Sequence, residues 1–206
     1  MRKGLLIITT LVAFSLGTPA MAVEEPAFTR VLKDGTFEVR DYPGLVVAEV
    51  TVAGAQKEAA NNGFRLLAGY IFGGNSPHEK IAMTAPVMQS PAAGQKIAMT
   101  APVAQTPADG GWVVRFTMPS RYTLATLPAP ADARVKLRAV PPARMAVLQF
   151  SGTAKPDDVQ TKMSELASWI QAHRWHPTGP TTLAQYNPPW TLWFLRRNEV
   201  MTPIEK

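Results

Sequence analysis

The sequence predicts an α+β domain in which two pseudo-symmetric ββαβ halves form a curved antiparallel sheet or a distorted barrel with two main helices. Three observations carry this prediction. Two strand-like segments precede a stretch with helical spacing of apolar residues, a strand-like segment closes that unit, and the same order recurs in the second half of the chain. The composition, 46% hydrophobic and 17% charged, is that of one globular domain.

The first half begins with two strand-like segments. Residues 36–42 alternate polar and apolar side chains, and residues 45–52 are more continuously apolar, so we predict a β-hairpin around the intervening Pro–Gly turn. From Ala55 the apolar spacing becomes helical and ends at the Gly–Gly–Asn sequence at 73–75. Residues 112–118 predict the strand that closes this half.

The second half repeats this order. Residues 134–139 and 144–150 predict strands on either side of a Pro–Pro turn. A helix is predicted from Pro156, because proline suits the first turn and an apolar stripe follows at helical spacing. Residues 191–200 predict the closing strand.

An eight-residue repeat lies between the halves. KIAMTAPV occurs at residues 80–87 and again at residues 96–103. One interpretation is two short strands joined by a hairpin, with the prolines at strand ends. Another is that Met83 and Met99 present polarizable thioethers to a flat apolar ligand. Both interpretations can hold together.

The first 22 residues predict a cleaved signal peptide, followed by one domain over residues 23–206. Arg2 and Lys3 precede an apolar stretch at 5–16, and the small residues ending at Ala22 suit signal peptidase. A bilayer-spanning helix needs roughly 20 apolar residues, so no stable membrane insertion is expected. We therefore predict a periplasmic or secreted protein.

Composition excludes several functions. The chain has no cysteine, which removes disulfides, thiolate metal sites and cysteine nucleophiles. Basic residues are scattered and their excess is mild, so no nucleic-acid partner is expected. The common hydrolase, zinc-protease and nucleotide motifs are missing from the sequence, and we predict no catalytic residues. His173 and His176 suit a helix end, where the dipole favours cations.

The stretch at residues 186–200 combines aromatic, proline and charged residues. Prolines stiffen the loop carrying Tyr186 and Trp190, which favours stacking of a flat ligand, and paired arginines suit carboxylates. The alternative is that the aromatic side chains pack the core and that an arginine pairs with Glu199.

Five motifs in order resemble the SOUL/haem-binding-protein family, and the doubled repeat resembles its bacterial members. They are EVRDYP at 38–43, the KIAMTAPV pair, FTMPS at 116–120, an LPxP segment from Leu127, and YNPPW with FLRRNEV at 186–200. The resemblance implies an α+β fold similar to the small-molecule-binding domain of GyrI-like proteins.

The resemblance also implies non-covalent binding of haem or another tetrapyrrole in an apolar cleft between the first helix and a C-terminal loop. In this chain the cleft would draw on Phe64, Leu67, Ala68, Ile71, Tyr186 and Trp190. Arg65, Arg196 and Arg197 are candidates for the propionates, and His78, Met83 or Tyr186 for the iron. His78 is otherwise a solvated loop histidine.

Three functions follow, in order of preference. The first is an exported tetrapyrrole-binding protein for trafficking or buffering. The second is a module for another apolar or cationic small molecule, as in GyrI-like domains. The third is an enzyme, for which Glu38 and Glu49, on adjacent strands of the predicted hairpin, would be converging carboxylates; a salt-bridged sheet surface is the simpler interpretation of this pair.

Overall fold

The computed structural model describes residues 23–91, 111–188 and 190–206. Two helices, α1 (Gln56–Ile71) and α2 (Pro156–Ala172), lie where the spacing predicts them. The described strands are β1 (Thr29–Asp34), β2 (Phe37–Tyr42), β3 (Leu45–Val52), β4 (Asn75–Ser76), β5 (Val87–Pro91), β6 (Trp112–Thr117), β7 (Ala129–Pro130), β8 (Lys136–Val140), β9 (Ala143–Phe150), β10 (His176–Pro177), β11 (Thr182–Gln185) and β12 (Asn198–Glu205).

One large antiparallel sheet dominates the described chain. Its order is β1-β2-β9-β12-β11-β5-β6-β3-β8, with β10 added beside β12, while β4 and β7 form a separate pair. The described strands at the two ends of this order, β1 and β8, do not pair, so the sheet is not closed into a barrel. The α+β class with two helices on a large antiparallel sheet is confirmed.

The predicted hairpins are wrong. β2 pairs with β1 and β9, and β3 pairs with β6 and β8, so the chain leaves one half of the sheet and enters the other at residues 43–44. The same crossing separates β8 from β9. Tight two-residue hairpins need positive φ at the first turn position, which Pro43 and Pro141 cannot adopt.

The sheet has the pseudo-twofold symmetry expected from the repeated order. Its centre is the β5–β11 pair, where Gln89 faces Leu183. Counted outward from this pair, β6 corresponds to β12, β3 to β9 and β8 to β2, and the residue registers agree along each strand. The crossings at 43–44 and 141–142 therefore exchange β2 and β8 between the halves.

Each helix covers its own half on one side of the sheet. α1 packs on β6 and β3, and α2 on β9 and β12. Gly63 explains how α1 tolerates weak helix formers: a Cβ there would lie 2.5 Å from a Val114 methyl carbon, so glycine allows the helix to approach β6 closely. We call the other side of the sheet the open face.

Two further predictions need correction. Residues 80–86 are not a strand, since β5 begins only at Val87; the Ile81 N–H donates to Ile71 and the Ala85 N–H to Glu24 instead of to a sheet neighbour. The second repeat, 96–103 with Met99, lies outside the described residues. The last strand begins at Asn198 rather than at residue 191, because a 3₁₀ turn, Trp193–Leu195, precedes it.

Candidate binding site

The two helices pack on strands at either side of the central β5–β11 pair, and we call the space between the helices, over this pair, the inter-helix groove. Its floor is the helix side of β5 and β11, the strands that lie between those on which the helices pack. At one end Val87 faces Gln185, and both are partly exposed. Phe116 lies beside Val87 on β6, and the Phe64 ring packs edge-on against it at 5.3 Å between centroids. Strands are about 4.8 Å apart, so Phe64 and the chain leaving Gln185 flank a span of roughly 10 Å.

The predicted helix residues divide between core and surface. Leu67 and Ile71 are buried in the apolar core between α1 and the first half of the sheet, which we call the first core cluster. Phe64 remains 37% exposed, and Ala68 is partly exposed. Arg65 is exposed and donates to the Asn62 side chain. Phe64, Ala68 and Arg65 are therefore the predicted α1 residues whose side chains remain accessible to solvent.

The loop between β11 and β12 exposes a run of large apolar side chains, which we call the aromatic loop. Trp190 is 82% exposed, and the interpretation that these side chains pack the core is wrong. Contiguous exposed apolar surface of this kind marks binding sites. The exposed side chains are those of Trp190, Leu192, Trp193, Phe194 and Leu195.

Tyr186 does not join the predicted cleft. Its side chain packs against the cluster of Val147, Ala184 and Met201 on the open face, and its hydroxyl donates to Glu199 Oε2 at 2.6 Å. Phe64 lies on the other side of the sheet, so the structure does not bring these two predicted site residues together. Burial and the negative charge of Glu199 raise the pKa of Tyr186.

A buried ion cluster, which the sequence reasoning did not identify, occupies the open face of the second half. Arg40, only 2% exposed, donates Nη1 to Glu199 Oε2 at 2.8 Å, Nη2 to Glu199 Oε1 at 3.0 Å and Nε to Glu38 at 2.6 Å. Arg197 donates to Glu199 Oε1 at 3.0 Å, so the predicted pairing of Glu199 with an arginine is confirmed. Burial disfavours the charge of Arg40, but bonding to Glu199 outweighs this and raises the pKa of Arg40.

A signal for this cluster was present in the sequence. Glu38, Arg40 and Tyr42 alternate along β2, which places all three on one face of the strand. Alternation with charges on a single face indicates a solvated surface by default, and only the sheet order shows that Glu199 lies across from Arg40. The two strands are not neighbours, since β9 separates β2 from β12.

The three candidate iron ligands have different surroundings. His78 is exposed, and its Nδ1 lies 3.1 Å from the Gly73 carbonyl oxygen. Met83 packs against the first core cluster, and Tyr186 is bonded to Glu199. Among the residues that the structure describes, no three His, Asp or Glu side chains could together hold a metal ion.

The remaining predicted polar residues make local contacts. Arg196 donates Nε to the Thr191 carbonyl at 2.8 Å, within the loop. His173 follows α2, and its Nδ1 lies 2.9 Å from the Trp169 carbonyl oxygen, consistent with a helix-end role. Glu38 and Glu49 do not converge, because five strands separate β2 from β3, and each carboxylate is ion-paired with arginines.

The fold defines the class first: an α+β domain of two pseudo-symmetric halves with two helices on a large antiparallel sheet. The SOUL heme-binding protein family matches residues 23–203, and the chain belongs to this family. No curated protein sequence matches the chain significantly. In residues 23–91, 111–188 and 190–206, no helix is long and apolar enough to cross a membrane.

Several solved structures share the fold at low identity. EcmrR in a cryo-EM complex with DNA has a TM-score of 0.61 and 9% identity, over 82% of this chain and 57% of that chain. The chain thus spans just over half of EcmrR. An uncharacterized conserved protein from Listeria innocua has a TM-score of 0.56 and 11% identity, over 82% and 92% of the two chains. A hydrolase from Listeria innocua has a TM-score of 0.54 and 12% identity over the same shares.

Proposed function

We propose that this protein is exported and binds haem or another tetrapyrrole non-covalently in the inter-helix groove, holding it for trafficking or buffering. Phe64 on α1 and the aromatic loop would cover the two sides of the ring. Binding, rather than turnover, is the function proposed.

The aromatic loop is the observation that carries the proposal. It lies inside the stretch that matches the SOUL heme-binding protein family, follows the end of β11 at Gln185, and exposes five large apolar side chains. A porphyrin offers several hundred Å² of apolar surface, and at roughly 25 cal/mol per Å² its burial can supply several kcal/mol. Prolines before Trp190 limit the entropy lost when the loop orders on a ligand.

Iron ligation is not required by this proposal. Neither His78 nor Met83 belongs to a group of metal-binding side chains among the described residues. Arg65 is exposed on α1 and can meet a propionate. We therefore expect metal-free protoporphyrin to bind within about tenfold of haem, since the apolar contacts are shared.

The test is a titration of the purified protein with haem and with protoporphyrin. Trp190→Ala and Phe64→Ala should each weaken binding by about tenfold, because each removes an apolar wall of the ring site. Val31→Ala is the matched control: Val31 is also exposed, but it lies on β1 at the far edge of the sheet. Tryptophan quenching and the Soret band report binding.

Absence of any spectral change at micromolar ligand would refute the proposal. Equal loss in the Val31 variant would show that the effect is not local to the groove.

Export has its own test. N-terminal sequencing of protein recovered outside the cytoplasm should begin at Val23, and an intact N-terminus there would contradict cleavage after Ala22.

A further inference from the structure

The N-terminal segment, residues 23–28, crosses the open face from one half of the molecule to the other. In the first half Glu24 accepts bonds from the Ala85 N–H at 2.9 Å and from the Ser120 N–H at 2.8 Å. In the second half Glu25 and Phe28 reach the buried ion cluster. The segment is therefore anchored at its beginning and contacts the cluster through two side chains.

Glu25 and Phe28 make the contacts with the cluster that a small aromatic carboxylate would make. The Phe28 ring lies 4.4 Å from the guanidinium carbon of Arg40 and 5.4 Å from the Tyr42 ring. The Glu25 carboxylate accepts bonds from Arg197 Nη1 at 2.9 and 3.2 Å. The chain thus places a six-membered aromatic ring on a cation and a carboxylate on a second cation.

An open cavity of about 340 Å³ adjoins these two side chains. This volume is in the range of small-molecule pockets. Its walls carry four cations, Arg30, Lys33, Arg40 and Arg197, against the carboxylates of Glu25 and Glu38, and the buried Glu199 carboxylate accepts bonds from Arg40 and Arg197. Removal of the Glu25 carboxylate from the cavity would increase the positive excess, so the cavity favours an anion.

The contacts of Glu25 are weak enough to exchange. Its side chain is 43% exposed, and solvated ion pairs of this kind contribute little to stability. Arg40 and Glu199, in contrast, are fixed by two parallel hydrogen bonds and full burial. A rigid cationic floor with a replaceable occupant is the arrangement of a pre-formed binding site.

We propose that the open face holds a second binding site, for a small aromatic carboxylate, and that Glu25 and Phe28 occupy this site in the absence of ligand. The ligand carboxylate takes the place of Glu25 on Arg197, and its ring takes the place of Phe28 on Arg40. This site lies on the opposite side of the sheet from the inter-helix groove, and it goes beyond tetrapyrrole binding.

The probe is 3-phenylpropionate, titrated calorimetrically at neutral pH, with 3-phenylpropanol as the neutral molecule of similar shape and acetate as the anion without a ring. Both controls should bind at least about tenfold more weakly, because each lacks one of the two recognised groups. Equal binding of the acid and the alcohol would overturn the proposal.

Variants of Glu25 and Phe28, the two side chains that occupy the site, give the sharper test. Glu25→Gln should tighten 3-phenylpropionate binding by about threefold to fivefold, since a competing carboxylate is lost. Phe28→Ala should tighten it by about tenfold by freeing the ring position. Glu58→Gln is the matched control, because Glu58 is exposed on the first turn of α1, on the other side of the sheet. Affinities within twofold of the unmodified protein in both occupant variants would overturn the proposal.

Arg197→Gln should weaken binding by at least about tenfold, and Arg197→Lys should restore part of it. If Arg197→Gln fails to fold, the Glu25 and Phe28 variants, compared with the Glu58 control, still decide the question, since they leave Arg40, Arg197 and Glu199 unchanged. Haem is titrated in parallel. Haem affinity unchanged by Phe28→Ala supports two separate sites, whereas competition between haem and 3-phenylpropionate would overturn the second site. Failure of haem to bind any variant refutes the proposed function alone.

Discussion

The two halves of the sheet share a backbone plan but differ in the charges of the open face. Arg40 on β2 corresponds to Arg138 on β8, and Glu38 corresponds to Lys136. Arg40 is 2% exposed and bonded to Glu199, whereas the Arg138 side chain is 56% exposed and lies 3.5 Å from a Glu49 oxygen. The difference arises from what covers each half: Phe28 and Tyr42 lie over or beside Arg40.

This comparison shows which part of the molecule is duplicated. Strand order, register and helix placement repeat about the β5–β11 pair. The position of Glu199 corresponds to Val113 in the first half, so the cluster has no counterpart there. A symmetric framework therefore carries an asymmetric site, and the N-terminal segment contacts the cluster in the half where the charges are buried.

The largest expected effect is a difference in unfolding free energy between variants of Arg40 and Arg138, the two arginines at equivalent positions. Arg40→Met should lower the free energy of unfolding by about 3 to 5 kcal/mol, because it leaves buried Glu199 without its main partner. Arg138→Met should change it by about 0 to 1 kcal/mol, as expected for an exposed ion pair. Urea denaturation of both variants measures the difference. Equal losses would mean that the two halves do not differ as described.

A second prediction compares the two helices. On their buried faces α1 carries Ala59 and Gly63, whereas α2 carries Val159 and Met163 with the same spacing. Gly63→Ala should cost about 1 to 3 kcal/mol, because the new Cβ would overlap Val114 and better helix propensity cannot compensate.

Gly69 provides the control for this prediction. It lies on the same helix, and a Cβ there would meet no atom within 4 Å. Gly69→Ala should therefore stabilise the protein by up to about 1 kcal/mol. Thermal or urea unfolding checks both variants, and stabilisation by Gly63→Ala would show that α1 does not approach β6 as closely as described.

The elements were largely predictable, but their pairing was not. Apolar spacing located both helices and the strands β2, β3, β6, β8 and β9, because burial of one face imposes the period of 3.6 or 2 on the sequence. It did not locate the central strands β5 and β11. The same spacing says nothing about which strand lies alongside. β2 and β3 are adjacent in sequence and yet belong to different halves, and Pro43 was the residue that argued against a tight hairpin.

The site was predictable only where surface residues are unusual in type. The proline- and tryptophan-rich segment around Trp190 stood out by composition, and the structure exposes it. Tyr186, nine residues before Leu195, was assigned to the same cleft, but the alternation after β11 turns its side chain to the open face. Glu199 is invisible as a site residue from the sequence, since its partner Arg40 is 159 residues away.

The smallest expected effect concerns acid stability of the second half. Burial opposes the charge of Glu38, but hydrogen bonding to Arg40 and the charges of Arg40 and Arg30 outweigh it and lower the pKa of Glu38 below its usual 4.5. The unfolded chain then binds more protons than the folded one between these two pKa values. Stability from this group is therefore complete above about pH 4.5 and is lost as the pH falls through the folded value. Glu38→Gln should therefore reduce the loss of unfolding free energy at acid pH, measured by urea unfolding across pH. Lys136→Gln is the control, because it lies at the equivalent position of the first half and changes no group that titrates in acid, so the loss should remain. The same pH dependence in the Glu38 variant and the unmodified protein would contradict the assignment.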